Sequence, residues 1–198
     1  VCWSKWNRVR WDAAKVTQGV QELREYLGSG FEEYFDSSWA LAYDWKAQNP
    51  QTNDEVKQFY KTTPYYLYNT LIFFESGDRI DLKPFINQLI RDYGVKSVVD
   101  YGCGVGNDSL SMLELGLDVF SVDLSSPSMD FLKWRLDKRG YKNEASNQVL
   151  DADQIDQLPV VDMVWAIDVL EHMKDPDELL AKMGDQVKVF VYYTDSDD

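Results

Sequence analysis

A glycine-rich turn between an apolar run and an amphipathic segment constrains the fold of this chain more than any other feature. Asp100 lies near the end of the apolar run 96–101, and Gly102, Gly104 and Gly106 follow it at every second position. Glycines so placed let the chain turn sharply at a strand end and let a ligand approach bare backbone, and the helix that follows offers unpaired N–H groups. The pattern predicts a strand, a turn and a helix, although such a turn also forms without a ligand.

From residue 96 onwards, short apolar runs alternate with amphipathic segments. This alternation is typical of a parallel sheet with crossover helices. The predicted strands are 96–101, 118–123, 147–150, 161–167 and 187–193, and the predicted helices are 107–115, 127–139 and 176–183, with a further helical turn at 153–157. We therefore expect an α/β fold with a Rossmann-like, doubly wound parallel sheet.

The first 94 residues are predicted to be mostly helical. Apolar residues at 6, 9, 13, 16, 20, 23 and 27 recur at steps of three and four, which predicts one helix with a single apolar face. Further helices are predicted at 31–45, 54–61, 64–76 and 82–93. We expect a helical N-terminal cap or extension, residues 1–94, and a Rossmann-like core, residues 95–198. The tyrosines at 65, 66 and 68 and the five tryptophans of the extension fit either a core or an aromatic lid over a substrate.

The negative charge of the chain is concentrated in its second half. The net charge is −14, and residues 100–198 carry 21 acids against 8 bases, whereas residues 1–99 carry 13 against 12. Nucleic-acid affinity rests largely on Lys and Arg, and no basic stripe is visible, so DNA or RNA is disfavoured as a partner. No stretch approaches the roughly 20 consecutive apolar residues of a membrane span, so no membrane partner is expected.

The N-terminus and the cysteines bear on the cellular compartment. The first residues lack an apolar run after a basic start, so the sequence predicts no secretory signal. Cys2 and Cys103 do not make a disulfide framework, and neither has the nearby His or Cys that a metal site would show. We expect a cytoplasmic protein without a metal.

A second candidate ligand group stands at the end of the next predicted strand. Asp123 lies about 20 residues past the glycine-rich turn, where an acid can accept hydrogen bonds from both hydroxyls of a ribose. A strand-end acid can also cap a helix, but Ser125 or Ser126 supplies that cap better. The two motifs together point to a ligand that contains a ribose.

Four segments, taken in order, resemble the class I S-adenosylmethionine-dependent methyltransferases, in particular those that act on small molecules. They are the turn 98–106, Asp123 with its neighbours Val122 and Leu124, Asp151-Ala152 after the third strand, and 162–176 around the fourth. The resemblance covers residues 95–193. It implies S-adenosylmethionine as cofactor, S-adenosylhomocysteine as product, and methyl transfer to a small-molecule acceptor.

The resemblance also implies a role for each motif in holding the cofactor. The backbone of Gly102, Cys103 and Gly104 would line the methionine portion. Further predicted members of the site are Asp100, Asn107, Asp108, Ile167 and Asp168, of which the last two border the methionine end. A nicotinamide dinucleotide is the nearest rival ligand, but its pattern needs a third glycine where Asn107 stands.

The rest of the cofactor is assigned by the same resemblance to the second and third strand ends. Asp123 would hold the ribose, with Leu124 beside it. Asp151 would accept from the adenine amino group, and the N–H of Ala152 would meet a ring nitrogen. Asp151 could instead be a solvated loop acid.

Methyl transfer needs alignment and exclusion of water more than it needs catalytic side chains. His172 is the only histidine and follows the fourth strand, and its ordinary pKa of about 6.5 suits a base that deprotonates the acceptor. A packing or loop-ordering role fits His172 equally well. Cys103 is disfavoured as a nucleophile, because no histidine close in sequence supports a thiolate.

Members of this family usually continue past the fifth strand into a helix and an antiparallel strand pair. We expect that pair to be missing here, and an edge strand with Val187, Val189 and Val191 invites a homodimer. Two alternatives to a small-molecule enzyme therefore stay open. One is a cofactor-binding but inactive subunit of a hetero-oligomeric methyltransferase, and the other is a protein methyltransferase.

Overall fold

The computed structural model describes residues 3–33, 36–79, 81–141, 145–173, 176–183 and 187–194. The chain folds into two compact units. Unit 1 comprises residues 1–81 and 125–139, and unit 2 comprises residues 82–124 and 140–198. The boundary at residue 94 between a cap and a core stays a prediction.

Unit 2 contains a five-stranded parallel sheet. The strands are β1 (Ser97–Tyr101), β2 (Asp118–Asp123), β3 (Asn147–Asp151), β4 (Met163–Ile167) and β5 (Val189–Tyr193). Their order across the sheet is β3-β2-β1-β4-β5, and every neighbouring pair is parallel. The predicted Rossmann-like, doubly wound α/β fold is confirmed, and each of the five strands lies within two residues of its predicted bounds. The predicted absence of an antiparallel pair stays a prediction.

Helices cover both faces of this sheet. They are α6 (Lys83–Tyr93), α7 (Asn107–Glu114) and α9 (Pro176–Met183), with 3-10 helices at Ala152–Gln157 and Leu170–His172. One core joins α6 and α7 to the sheet through Ile86, Leu89, Val98, Met112, Val119, Met163 and Trp165. The other joins α9 to the opposite face through Val99, Phe120, Val122, Val164, Leu179 and Met183. Because both faces are buried, the strands read as apolar runs in the sequence.

All the regular elements among the described residues of unit 1 are helices. Its α-helices are α1 (Trp3–Ala14), α2 (Gln18–Leu27), α3 (Ser37–Gln48), α4 (Asn53–Thr62), α5 (Tyr65–Glu75) and α8 (Pro127–Lys138), with a 3-10 helix at Gly28–Gly30. The helices predicted at 54–61, 64–76 and 127–139 are confirmed. The helix predicted at 31–45 begins only at Ser37, and positions 34 and 35 lie outside the described residues.

The single helix predicted over residues 6–27 is wrong. The helix breaks after Ala14 and resumes at Gln18, with Thr17 in an extended conformation. The Thr17 hydroxyl donates to the Ala14 carbonyl at 2.7 Å. A side chain that bonds to nearby backbone in this way competes with the helical hydrogen-bond pattern, which apolar periodicity cannot reveal.

The break also changes which face of α1 is buried. Asn7, Trp11 and Ala14 point into unit 1, whereas Trp6 and Val9 of the predicted apolar face are 50% and 60% exposed. Only the second half of that face, within α2, is buried as expected. Trp11 and Tyr68 are buried, which supports the interpretation that these aromatic residues belong to the core. An aromatic lid stays a prediction.

A buried ion-pair network joins α2 to α8 inside unit 1. The Glu22 carboxylate accepts hydrogen bonds from Arg135 at 2.8 Å and from Arg139 at 2.7 Å, and Glu22 and Arg135 are each only 2% exposed. Burial alone would raise the pKa of Glu22, but the hydrogen bond from Arg139 and the charge of Arg135 outweigh burial, so the pKa is lowered. The carboxylate therefore stays charged and compensates the buried guanidinium.

Replacing Glu22 with alanine should lower the free energy of unfolding by about 3 to 5 kcal/mol, because the buried Arg135 guanidinium would lose the carboxylate to which it donates. Urea unfolding at pH 7 measures this loss. Glu33→Ala is the matched control, since it removes an exposed partner of Arg24 and should cost less than about 1 kcal/mol. Equal losses in the two variants would contradict the argument.

Candidate functional site

The glycine-rich turn leads from β1 into α7 through three left-handed residues. Gly102, Gly104 and Gly106 have φ angles of 74°, 52° and 76°, a region that side chains disfavour. The N–H groups of Gly102 and Cys103 both donate to the Val122 carbonyl, at 2.8 and 3.2 Å. These bonds hold the turn against the end of β2.

Gly102 also lies in close contact with the loop that follows β4. A Cβ atom at Gly102 would stand 2.5 Å from Cγ2 of Val169 and 2.7 Å from its Cβ. The strand order reverses between β1 and β4, so the two loops meet at the switch point of the sheet. In doubly wound sheets, ligands bind in the crevice at the carboxyl ends of the strands at this point.

Replacing Gly102 with alanine should cost about 2 to 4 kcal/mol of stability, because the new methyl group meets Val169 and the backbone is left-handed. Thermal and urea unfolding measure the loss. Gly116→Ala is the matched control, since its φ is 83° and nothing lies within 4 Å of its Cβ position. Adding Val169→Ala to the Gly102 variant should recover only part of the steric loss, because the Cβ of residue 169 stays 2.7 Å from the new methyl group. If both glycine variants lose the same stability, the close contact is not responsible.

Asp123 ends β2 and binds the backbone of the turn. Its carboxylate accepts from the Gly104 N–H at 2.7 Å and from the Leu124 N–H at 2.6 Å. The structure thus brings together three of the residues that the sequence predicted for the cofactor site. The turn and the end of β2 form one hydrogen-bonded unit.

Asp123 and Asp151 are neighbours across the sheet, because they are register partners at the ends of β2 and β3. Burial raises the pKa of Asp123 to about 6; the N–H groups of Gly104 and Leu124 oppose this rise, and the charge of Asp151 adds to it. The two acids therefore present hydrogen-bond acceptors at the same edge of the sheet. The pKa of one of them, Asp123, lies close to neutral pH.

Because the pKa of Asp123 is raised in the folded protein, ionisation of this carboxyl group lowers the free energy of unfolding. Its contribution to folding is fully present below the ordinary pKa of about 4 and is lost as pH rises through about 6. Between pH 5 and pH 7, the unfolding free energy of the natural protein should fall by about 1 kcal/mol relative to Asp123→Asn. Urea unfolding of both proteins across this range measures the difference. Parallel pH profiles would show that Asp123 titrates at its ordinary pKa.

Asp151 begins the 3-10 helix Ala152–Gln157 as its cap. Its side chain accepts from the Asp153 N–H at 2.9 Å, and the Gln154 side chain accepts from the Asp151 N–H at 3.0 Å. Asp151 is partly buried, as is Ala152. The cap orients the Asp151 carboxylate at the end of β3, and its role toward a ligand stays a prediction.

The end of β4 contains a strained residue. Asp168 has a φ of 55°, and among the described residues only Asn49 shares a positive φ without being glycine. Its N–H donates to the Tyr193 carbonyl at the end of β5, at 2.9 Å. Residues held in such conformations cluster at functional sites. Ile167, directly before Asp168, is partly buried.

Cys103 and His172 differ sharply in exposure. Burial, with the charges of Asp123 and Asp100, raises the pKa of the Cys103 thiol well above its ordinary value. The raised pKa favours the protonated thiol, which is a poor nucleophile. His172 is exposed at the end of the 3-10 helix Leu170–His172. Another predicted site residue, Asn107, is the first residue of α7.

Two residues near the site were not recognised from the sequence. Val169 packs on Gly102, and the glycine itself signals such a close neighbour. Trp165 lies in β4, and its indole N–H donates to Asp108 at 2.8 Å. A tryptophan inside an apolar strand needs a partner for its N–H, so its presence among apolar residues was the available signal.

In the part of the chain that the structure describes, no group of three or more His, Cys, Asp or Glu residues could hold a metal ion. Within the same ranges, no helix combines the length and apolar character needed to cross a bilayer.

Several known proteins with similar sequences are methyltransferases. Residues 99–188 match the family model described as a methyltransferase domain. The ubiquinone biosynthesis O-methyltransferase of Nitrosomonas europaea is 29% identical over 104 residues, which cover 52% of this chain and 44% of that protein. The protein of the same name from Nitrosospira multiformis is 35% identical over 81 residues, covering 41% and 34%. The matches thus span less than half the length of either relative.

A solved structure supports the fold. The S-adenosylmethionine-dependent methyltransferase of Clostridium acetobutylicum superposes with a TM-score of 0.53 at 17% identity, over 65% of this chain and 58% of that one. At this identity the likeness concerns the fold alone. Residues 99–188, with the glycine-rich turn before α7, are thus similar to a methyltransferase domain.

Proposed function

We propose that this chain binds S-adenosylmethionine and transfers its methyl group to a small-molecule acceptor, with S-adenosylhomocysteine as the product. The observation that carries the proposal is the hydrogen-bonded unit of Asp123 and the glycine-rich turn at the switch point of the sheet. The family match of residues 99–188 supports the same function.

The polar groups at the strand ends fit this cofactor. Ribose hydroxyls and the adenine amino group are donors, and the adjacent carboxylates of Asp123 and Asp151 are acceptors. The first turn of α7 favours a negative group such as the methionine carboxylate, because its N-cap residue, Gly106, has no side chain to accept from the helix N–H groups. The described residues therefore offer a complementary partner to each end of the cofactor.

The cofactor, when bound, supplies a methyl group on a positive sulfur that is already an activated leaving group. The residues of the chain orient the cofactor and the acceptor, and they exclude water from the site. Asp123 holds the ribose, Gly102 and Gly104 give close backbone approach, and Val169 packs against the turn. Ile167 and Asp168 border the reacting end.

A base is needed only where the acceptor must lose a proton. His172 is the candidate, since it is exposed just after β4, next to the predicted methionine end. The names of the relatives as O-methyltransferases support an oxygen acceptor and favour a small molecule over a protein. A homodimer through the edge strand β5 and a cytoplasmic location stay predictions.

Calorimetric titration with S-adenosylmethionine and S-adenosylhomocysteine tests the proposal. The natural protein should bind both, and Asp123→Ala should weaken S-adenosylhomocysteine binding about 50-fold, because two charge-assisted hydrogen bonds to the ribose are lost. Asp118→Ala, at the exposed opposite end of the same strand, is the matched control and should bind normally.

A nicotinamide dinucleotide serves as the ligand control. Failure of the natural protein to bind either sulfur ligand would overturn the proposed function. Tighter binding of the dinucleotide, or equal weakening in the Asp118 and Asp123 variants, would overturn the assignment of the site.

A further inference from the structure

A partly buried hydrogen bond joins the first turn of α7 to β4. The indole Nε1 of Trp165 donates to Oδ2 of Asp108 at 2.8 Å. Trp165 is completely buried in the core between the sheet and helices α6 and α7, with the Phe85 ring 6.2 Å from its own. A side chain held so firmly provides a rigid donor, so Asp108 has a defined position on the sheet.

The next residue ties the same turn to two further strands. The hydroxyl of Ser109 donates to the Asp100 carboxylate of β1 at 2.5 Å and accepts from the Ser121 hydroxyl of β2 at 2.8 Å. All three side chains are buried. Asp108 and Ser109 therefore connect the start of α7 to the three central strands β4, β1 and β2.

These hydrogen bonds matter because the turn before α7 is mobile unless other parts of the fold hold it. Three of its five residues are glycines, which lose more conformational freedom on ordering than any other residue. Apolar packing of α7 is not directional, so it permits small shifts of the helix along the sheet. Hydrogen bonds to three strands restrict those shifts and place the helix N-terminus before a ligand arrives.

We propose that Asp108 and Ser109 are positioning residues, which hold the glycine-rich turn and the N-terminus of α7 in the conformation that binds the cofactor. Asp108 acts through Trp165, whose indole N–H donates to its Oδ2 atom. The binding measurement that tests this inference rests on the proposed function. The measurement of amide hydrogen exchange does not.

Amide hydrogen exchange of the ligand-free protein tests the inference directly. Asp108→Ala and Trp165→Phe should each speed exchange of the amides of residues 102–107 about tenfold, because the tie to β4 is lost. Asp108→Asn keeps an oxygen acceptor for the indole, so its exchange should stay within about twofold of the natural protein. Glu114→Ala removes an exposed ion pair at the other end of α7 and is the matched control.

Calorimetry with S-adenosylhomocysteine provides the second readout. Asp108→Ala and Trp165→Phe should bind it about fivefold more weakly, the double variant no more weakly than either single one, and Asp108→Asn normally. Unchanged exchange in Asp108→Ala would overturn the inference. So would an Asp108→Asn variant that behaves like alanine, because the negative charge and not the hydrogen bond would then matter.

The two readouts separate this inference from the proposed function. If the natural protein does not bind S-adenosylhomocysteine, the proposed function fails and the exchange data alone decide on the positioning role. If Trp165→Phe does not fold, the comparison of Asp108→Ala with Asp108→Asn decides. The alanine variant removes the acceptor of the indole hydrogen bond, the asparagine variant keeps an oxygen acceptor, and neither changes Trp165.

Discussion

The hydrogen bond from the Gly104 N–H to the Asp123 carboxylate is the interaction on which the candidate site depends. It joins the turn after β1 to the end of β2. The same turn contacts Val169 after β4 through Gly102, so three strand ends are brought together at the switch point of the sheet. Together with the bonds from Gly102 and Cys103 to the Val122 carbonyl, this bond fixes the left-handed glycines of the turn relative to the acid that is proposed to hold the ribose.

This arrangement has a cost in stability that a ligand can offset. Burial raises the pKa of Asp123 to about 6, so its ionised form is disfavoured in the folded protein. Asp168 is held in a left-handed conformation that a non-glycine residue disfavours. Both features lie at strand ends in unit 2, and a ligand that donates hydrogen bonds to Asp123 would stabilise the ionised form of that residue. Costs of this kind are common where a surface is kept ready for binding.

Features set by neighbours along the chain were predicted well from the sequence. The five strands, the glycine-rich turn and the helix after it are local patterns of apolar periodicity and glycine spacing, and the structure contains each of them. The adjacency of Asp123 and Asp151 follows from the strand order of a doubly wound sheet. The failure over residues 6–27 is also instructive, because apolar spacing carries no information about the hydroxyl of Thr17, which bonds to the Ala14 carbonyl where the helix breaks.

By itself, the sequence determined the class of fold and the position of the cofactor motifs, since these depend on backbone geometry over a few residues. Only the tertiary structure decided which distant side chains meet: Trp165 and Asp108 are 57 residues apart, and Glu22 and Arg135 are 113 apart. Each of these contacts requires a buried polar group to find a partner after the strands and helices have packed. That pairing depends on distances in space, and the periodicity of a sequence does not contain them.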